Sequence, residues 1–556
     1  MAQAPPVVGQ WIPPSQTVLD RRWWVLGLLC TSLVIVVVGN TSLNVALPTI
    51  QRQLGASQTE LQWMVDAYSL VFAGLLLTAG AMGDRLGRKG ALQGGLVLFG
   101  LASLAAGLSN TGGAIIGFRA LMGVGAAFVM PATLSILTNV FPPEERAKAI
   151  AIWAGLSGAG AGIGPVASGY LLKHFSFGSV FFVNLPIIAF ALGMGAWLIP
   201  TSRDPEQGRL DPIGALLSIV GLSAVLFSII EGPDNGWLSA RTLGAFAVGA
   251  VVLGVFAWWE LHTDQPMLNL RYFKNPRLSV ASGGIMLVFF AMFGMFFLIT
   301  QFFQLVLGYS PLSAGVRQVP VALALVLVAP NSARLVARFG AKYVVAAGMA
   351  LVGTGQLLIA VTSSLHTPYW QICGSMVIVA SGMGLTVSPL TAAIMGSMPL
   401  GKAGVGSAVN DTTRELGGAL GVGVLGSLLA GSYAAGVAKI PGLPLAVRHA
   451  AESSLAGALH VAGSGALPSP VANALVTGAR QAYVDGMHTA LFVGASFAFC
   501  AAVLMFKFMP NTTSILAGPA RQASRDADHG GDHPDRARPA PAMVRGAVAA
   551  DGAAAS

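Results

Sequence analysis

The sequence predicts an all-α integral membrane protein with fourteen transmembrane spans, arranged as two six-helix halves with two further helices inserted between them. Three observations carry that prediction. Apolar stretches long enough to cross hydrocarbon recur along the whole chain, lysine and arginine concentrate in alternate connections, and one short glycine- and arginine-bearing loop occurs twice. Composition agrees, because 556 residues that are 54% hydrophobic and only 10% charged hold too little charge to keep a soluble surface of this size wet.

A helix needs about 20 residues to cross about 30 Å of hydrocarbon. Taken in order, separated by charge and turn signals, the apolar stretches fall at roughly 24–47, 63–82, 90–108, 113–138, 148–172, 179–199 and 212–231. They continue at 241–261, 278–303, 311–333, 342–362, 369–397, 404–430 and 487–509. With both termini cytoplasmic, 22 of the 31 lysines and arginines fall inside: Arg21 and Arg22 before the first span, Arg85, Arg88 and Lys89 after the second, and the later even connections and C-terminal tail in the same way. Six fall outside, and Arg119, Arg317 and Arg414 lie in spans or at their ends. This is the positive-inside pattern, and it accounts for most of the net charge of +9, which therefore does not point to nucleic acid.

The divisions that follow are a cytoplasmic segment 1–23, a first half 24–199, the inserted spans with their loops 200–270, a second half 271–510, and a disordered cytoplasmic tail 511–556. Segment 431–486, rich in alanine and glycine, reads as external and able to form a short helical hairpin. The first twenty residues lack the basic start and small-residue cleavage site of a signal peptide. Cys30, Cys373 and Cys500 fall in apolar runs and behave as small hydrophobes, so no disulfide framework is expected. The eight histidines show no metal spacing, and no nucleotide-binding glycine loop or catalytic triad stands out. An enzyme, an ATP-driven pump, a metal site and a resident cofactor are all disfavoured.

GAMGDRLGRKGAL (80–92) and ARLVARFGAKYVV (333–345) align on their glycines, Gly87 with Gly340. The second copy follows the tenth span rather than the eighth, which makes 212–261 the inserted pair. Duplicated six-helix halves around a central cavity are a transporter architecture.

At this point the chain resembles the major facilitator superfamily, in particular its fourteen-span drug:proton antiporter branch, over about residues 20–510. GAMGDRLGRK resembles the superfamily's loop motif, GFRALMGVGAA its fourth-span motif, and GAGAGIGPVASG the antiporter motif of the fifth span. NVALPTI, QWMVDAYSL, FFVNLP and VNDTTRELGGALGVG resemble further signatures of the branch. The resemblance implies proton-coupled export of lipophilic or cationic small molecules by alternating access, with protons and membrane lipids as the other partners and the proton gradient as the energy source. It also implies a bacterial cytoplasmic membrane, a monomer and multidrug efflux. A dedicated exporter of one metabolite, amino acid or lipid is the close alternative; a uniporter, channel-like protein or sensor on the same scaffold is the alternative of another class.

The candidate site residues follow from the residues and from the resemblance together. Ionisable groups inside spans are costly and therefore functional candidates. Asp411, Arg414 and Glu415 share one helical face at i, i+3 and i+4. Two acids flanking one arginine in a low dielectric should not both be ionised, so one can bind and release a proton. Asp66 and Arg119, both in the outer part of the first half, are expected to share a second polar network. Gly39 stands where the branch usually carries an acid, so coupling rests on Asp66 or on Asp411 and Glu415. Asn40 and Asn44, Gln301, Gln304 and Phe293 are candidate cavity residues, with Gln356, Phe289, Phe290, Met292, Met295 and Phe296 beside them. Gly80, Asp84, Arg85, Gly87 and Arg88 form a conformational latch in which Asp84 faces the start of a helix in the other half while the basic residues stay at the headgroup level. Gly160, Gly164 and Pro165 mark a gating helix whose small residues allow close approach and a bend.

Overall fold

The computed structural model describes residues 15–54, 58–202, 211–441, 443–465 and 467–511, all within one compact unit. Among them 14 helices are long and apolar enough to cross a membrane, and no strand occurs. In chain order they are α1 (Arg22–Leu54), α2 (Gln58–Leu86), α3 (Arg88–Gly107), α4 (Gly112–Val140), α5 (Pro143–His174), α6 (Asn184–Leu198) and α7 (Pro212–Asn235). The series continues with α8 (Ala240–His262), α9 (Pro276–Gln301), α10 (Val319–Phe339), α11 (Ala341–Thr362), α12 (Tyr369–Gly396), α13 (Ala403–Val437) and α14 (Ser469–Phe508). The predicted disordered tail falls on residues 512–556, outside the described residues.

Packing in the first six helices recurs in α9–α14. The pairs α1 with α5, α2 with α4 and α3 with α4 reappear as α9 with α13, α10 with α12 and α11 with α12. The duplicated loop has one backbone conformation in both copies, since Gly87 and Gly340 both take positive φ (119° and 89°) directly before α3 and α11. A side chain would strain that turn, which explains why glycine is the residue the two copies share. Eight residues further on, Gly95 meets Gly125 and Gly348 meets Gly382. A Cβ at Gly95 would lie 2.8 Å from the Gly125 carbonyl, and one at Gly348 2.7 Å from the Gly382 carbonyl. Backbone-to-backbone contact of this kind is how helices associate where lipid removes the hydrophobic drive.

Central and peripheral helices differ in what they bury. α4 buries most of its residues, whereas α8 buries only Thr242, Gly249, Phe256 and Glu260 and leaves Val251, Trp258 and other apolar side chains outward. The inserted pair α7–α8 rests through α7 on both α2 and α13. Thr78 and Ser218 approach to 3.4 Å, and Trp237 Nε1 donates to Ser427 Oγ at 2.7 Å.

Helix lengths depart from the sequence reading on the side opposite the basic loops. α13 runs to Val437, and α14 begins at Ser469 rather than 487, so two helices enter the segment 431–486 from its ends. At 1.5 Å per residue the 40 residues of α14 measure about 60 Å, twice the hydrocarbon thickness. Its first turns carry Arg480, Gln481 and Asp485 and were masked by that polarity; they are held by burying Leu475, Ala479, Ala482 and Tyr483. Between α13 and α14 lie two short helices, Leu445–Ser453 and Leu455–Gly463, which pack on each other, the first also on α13 and the second on α14, with Tyr433 donating to the Ala451 carbonyl at 2.9 Å.

Candidate functional site

A cavity of about 450 Å³ opens where α1 and α5 face α9, α10, α12 and α13. Its walls are apolar and aromatic (Phe293, Phe296, Phe297, Met292, Met383), with polar groups from Thr41, Thr300, Gln301, Gln304 and Gln318, and none of the described residues lining it carries a charge. Gln304 owes its position to a local departure from the α-helix: Phe302–Val306 forms one π-helical turn after α9, closed by Leu307 N donating to the Phe302 carbonyl at 3.0 Å. Such widened turns recur at functional sites. The fully buried rings of Phe302 and Phe303 hold this one, and Arg480 Nε donates to the Leu305 carbonyl at 3.2 Å.

Of the predicted lining residues whose side chains are described, Gln301, Gln304, Phe293, Met292 and Phe296 lie on the cavity and Gln356, Phe289, Phe290, Met295 and Asn40 do not. Gln356 is fully buried, donating from Nε2 to the Ala291 carbonyl at 2.7 Å. Phe289, Phe290 and Met295 turn into the packed interior of the second half. On α1 the described lining residues are Thr41 and Val45 rather than Asn40. Adjacent helical positions point about 100° apart, so a stripe one residue off faces a different neighbour. Asn40 faces Arg119; the side chain of Asn44 lies outside the described residues. Gln318 and Met383 were not anticipated, Gln318 because it follows a charged residue at a span's edge and Met383 because it resembles packing.

α5 presents glycines to both of its neighbours. A Cβ at Gly160 would lie 3.2 Å from Val37, and one at Gly164 would strike Thr41 Oγ1, both on α1. Gly158 and Gly162 instead meet Leu325 and Ala322 of α10 in the other half. Pro165 sits within the helix and lines the cavity.

Asp411, Arg414 and Glu415 are brought together on α13, but the two acids differ. Asp411 is buried and accepts from Asn410 Nδ2 at 3.0 Å and Ser407 Oγ at 3.4 Å, with Arg414 Nη1 3.5 Å from Oδ1. Glu415 makes no hydrogen bond or ion pair with the described residues. Arg414 crosses to the first half: Nη2 donates to Ser157 Oγ of α5 at 3.2 Å, and the guanidinium lies 4.7 Å from the Phe289 ring and 5.8 Å from Trp153. Glu415 is seven residues before the cavity residue Val422, which places it on the same side of α13 and about 10 Å deeper.

Arg119 is fully buried on α4. Its hydrogen bonds run to the Met64 carbonyl (2.9 Å), the Gly39 carbonyl (3.1 Å) and Asn40 Oδ1 (3.4 Å), and its guanidinium lies 4.3 Å from the Tyr68 ring. The bonds of this guanidinium therefore end on carbonyl oxygens. Asp66 is half-buried on α2, two residues from Met64. Tyr68, missed in the sequence although it stands in QWMVDAYSL, is within electrostatic reach of both Arg119 and Glu415. Gly39 has a packing reason of its own, because a Cβ there would lie 2.8 Å from the Phe99 ring of α3.

On the side of the basic loops, Asp84 is buried and reaches the first turn of α13. Oδ1 accepts from Gly404 N at 2.8 Å and Oδ2 from Val405 N at 3.1 Å, with Ser135 Oγ 3.3 Å away. Lys402 gives no side-chain cap, so an acid from another helix takes the orphan N–H groups and the positive end of the dipole. Gly80 allows this approach, since a Cβ there would lie 2.7 Å from that of Ala408. Arg88 corrects the expected headgroup placement. It is buried, donating through Nε to Asp84 at 2.8 Å and through Nη2 to the Leu400 and Gly401 carbonyls at 2.9 Å. Those carbonyls and the N–H groups beyond them would otherwise be unmet, so the Asp84–Arg88 pair docks on both polarities of one backbone segment. Arg85 stays half-buried beside it.

A family model described as Major Facilitator Superfamily matches residues 29–422. The chain is 35% identical to the methyl viologen resistance protein SmvA of Salmonella typhimurium over 87% of its own length and 98% of that protein. It is also 35% identical to the multidrug efflux pump LfrA of Mycolicibacterium smegmatis, over 88% and 97% respectively. Among solved structures, the proton:xylose symporter XylE shares the fold at a TM-score of 0.57 and 12% identity, covering 89% of this chain and 97% of that one.

Proposed function

The chain belongs to the major facilitator superfamily and is a transporter rather than an enzyme; we propose that it exports lipophilic or cationic small molecules in exchange for protons, with Glu415 as the proton carrier. The names of its relatives support multidrug efflux. The observation that carries the assignment is the contrast on α13: Asp411 is engaged by two side-chain donors and Arg414, whereas Glu415 has no such partner and lies below the cavity on the same side as Val422. An acid whose negative charge is already satisfied is poorly suited to taking up a proton; one without such donors, below the cavity and with an arginine beside it, can alternate between a proton and a charge partner.

In this reading the basic loops face the cytoplasm and the cavity lies in the outer half of the membrane. The Asp84 and Arg88 contacts to the start of α13 then close the cytoplasmic side. Substrate binds among phenylalanine, methionine and glutamine side chains, an adaptable wall suited to varied apolar molecules. Protonation of Glu415 and departure of substrate accompany the change between outward and inward access, in which α5 and α10 move over their small-residue contacts. Each pH unit across the membrane supplies about 1.4 kcal/mol, a tenfold substrate gradient per proton exchanged.

The test is transport in proteoliposomes holding the full chain in a preformed pH gradient. Ethidium and methyl viologen should accumulate against their own gradients only while the pH gradient stands. Accumulation that ignores a protonophore would remove the proton from the account.

A further inference from the structure

The cavity and the charged cluster of α13 are joined by two stacked rings. Phe293 forms part of the cavity wall and is 40% exposed, while Phe289, one turn away on α9, is buried at 2%. Their centroids are 5.7 Å apart at an interplanar angle of 30°. The Arg414 guanidinium lies 4.7 Å from the centroid of Phe289, and the same guanidinium bonds Ser157 of α5 and pairs with Asp411. Neither Phe289 nor Arg414 lines the cavity. A continuous line of contact therefore runs from a molecule in the cavity through Phe293 and Phe289 to Arg414, and from there to α5 in the other half.

Packing leaves these rings little freedom. A Cβ added at Gly418 of α13 would lie 3.2 Å from Phe293, so helix backbone backs the exposed ring. Trp153 lies 5.8 Å from Arg414 and donates from Nε1 to Thr133 Oγ1 at 3.1 Å, which fixes the ring beside the guanidinium. In close-packed surroundings a displaced ring moves its neighbour instead of a void absorbing the change. The ring of Phe289 also lies beside a cation that is largely buried, and burial strengthens such an interaction.

We infer that Phe289 is the positioning residue through which occupancy of the cavity reaches the proton-carrying cluster. An aromatic substrate stacking on Phe293 shifts the Phe293–Phe289 pair, and Arg414, seated on Phe289, changes its partition between Asp411 and Glu415. Arg414 drawn toward Glu415 stabilises the carboxylate and expels its proton; Arg414 held against Asp411 leaves Glu415 free to take one up. This rests on the assignment of Glu415 above and adds to it the route by which substrate and proton sense each other.

The experiment uses the purified full-length protein, with ethidium as the probe. It measures ethidium affinity by fluorescence and the protons released on binding by the change of a weakly buffered solution. Phe289→Leu is expected to bind ethidium with an affinity that stays near the wild-type alkaline value and no longer varies with pH, and to release about fivefold fewer protons. Phe289→Tyr, which keeps the ring, should restore both. If the leucine variant does not fold, Gly418→Ala displaces Phe293 without deleting a ring and should likewise uncouple proton release from binding, whatever its effect on affinity. Wild-type proton release and pH dependence in whichever of these two variants folds would overturn the inference. Absence of substrate-linked proton release from the unaltered protein would overturn the assignment of Glu415 itself, and with it this route.

Discussion

Asp84 and Gly404, 320 residues apart, meet in a 2.8 Å hydrogen bond from the Gly404 N–H to Asp84 Oδ1. One helix of the first half thereby supplies the N-terminal cap of a helix in the second, and Arg88 takes the carbonyls just before it. As the proposed latch, a contact built from caps has a useful property. Its partners are backbone groups, which water satisfies as soon as the halves part, so opening exposes no buried side-chain charge without solvent.

Asp84→Asn keeps the shape of the side chain and removes the charge. The lost dipole and ionic contributions are worth about 1–3 kcal/mol, which shifts the balance of the two access states by roughly ten- to hundredfold toward opening at the basic loops. Labelling of a single cysteine placed at Ser135, buried beside Asp84, from that side should rise accordingly in the asparagine background; unchanged labelling would separate Asp84 from the access equilibrium.

Gly39 is legible in the sequence as the place of a missing acid, but the structure gives the position another constraint. A Cβ there meets Phe99 at 2.8 Å, so Gly39→Asp should cost about 1–3 kcal/mol by overpacking and lower the thermal midpoint in detergent. Pairing it with Phe99→Leu should recover most of that loss. The single variant showing wild-type stability would mean that the α1–α3 contact yields easily.

Arg119→Lys retains the positive charge and discards the fork that reaches Met64, Gly39 and Asn40 together. A lysine ammonium cannot span three oxygens on two helices, and each abandoned buried carbonyl costs about 1–3 kcal/mol. Transport should fall to near background although the charge remains. Full activity in the lysine variant would leave charge alone as the requirement.

Gln301, Gln304 and Gln318 are the amides of an uncharged cavity. Gln301→Leu and Gln318→Leu should each weaken substrates that hydrogen-bond by about 0.5–1.5 kcal/mol and strengthen purely apolar ones. Measured as resistance profiles, this predicts a reordering of substrates rather than uniform loss.

Much of this was readable in the chain because lipid imposes strict rules on it. Span number follows from the length needed to cross hydrocarbon. The pairing of Gly87 with Gly340 was visible because a positive φ admits few residues other than glycine. What was hidden depends on rotation about helix axes. Asn40 and Thr41 are adjacent, yet one meets Arg119 and the other the cavity; Gln356 and Gln301 are the same residue type, yet only Gln301 lines the wall. Arg88 looked like a surface anchor because the carbonyls it caps lie more than 300 residues away. The polar opening turns of α14 fall below any hydropathy threshold, and only tertiary packing makes them helical.

The proposed competition between substrate and proton at Glu415 also predicts the sign of a pH effect. Substrate binding that expels a proton must weaken as protons become abundant, so ethidium affinity in the purified protein should fall as pH falls and level off on the alkaline side. Glu415→Gln should abolish this slope, and Asp411→Asn should retain it while disturbing Arg414. A slope that survives in Glu415→Gln and vanishes in Asp411→Asn would exchange the two roles.

The central claim is that Glu415 carries the proton exchanged for substrate. Its most direct test compares two modes in proteoliposomes bearing Glu415→Gln: ethidium uptake driven by a pH gradient, and exchange of external for internal ethidium at equal pH. The neutral amide mimics the protonated acid without releasing a proton, so driven uptake should vanish while exchange persists. Uptake that still follows the pH gradient in this variant would contradict the account.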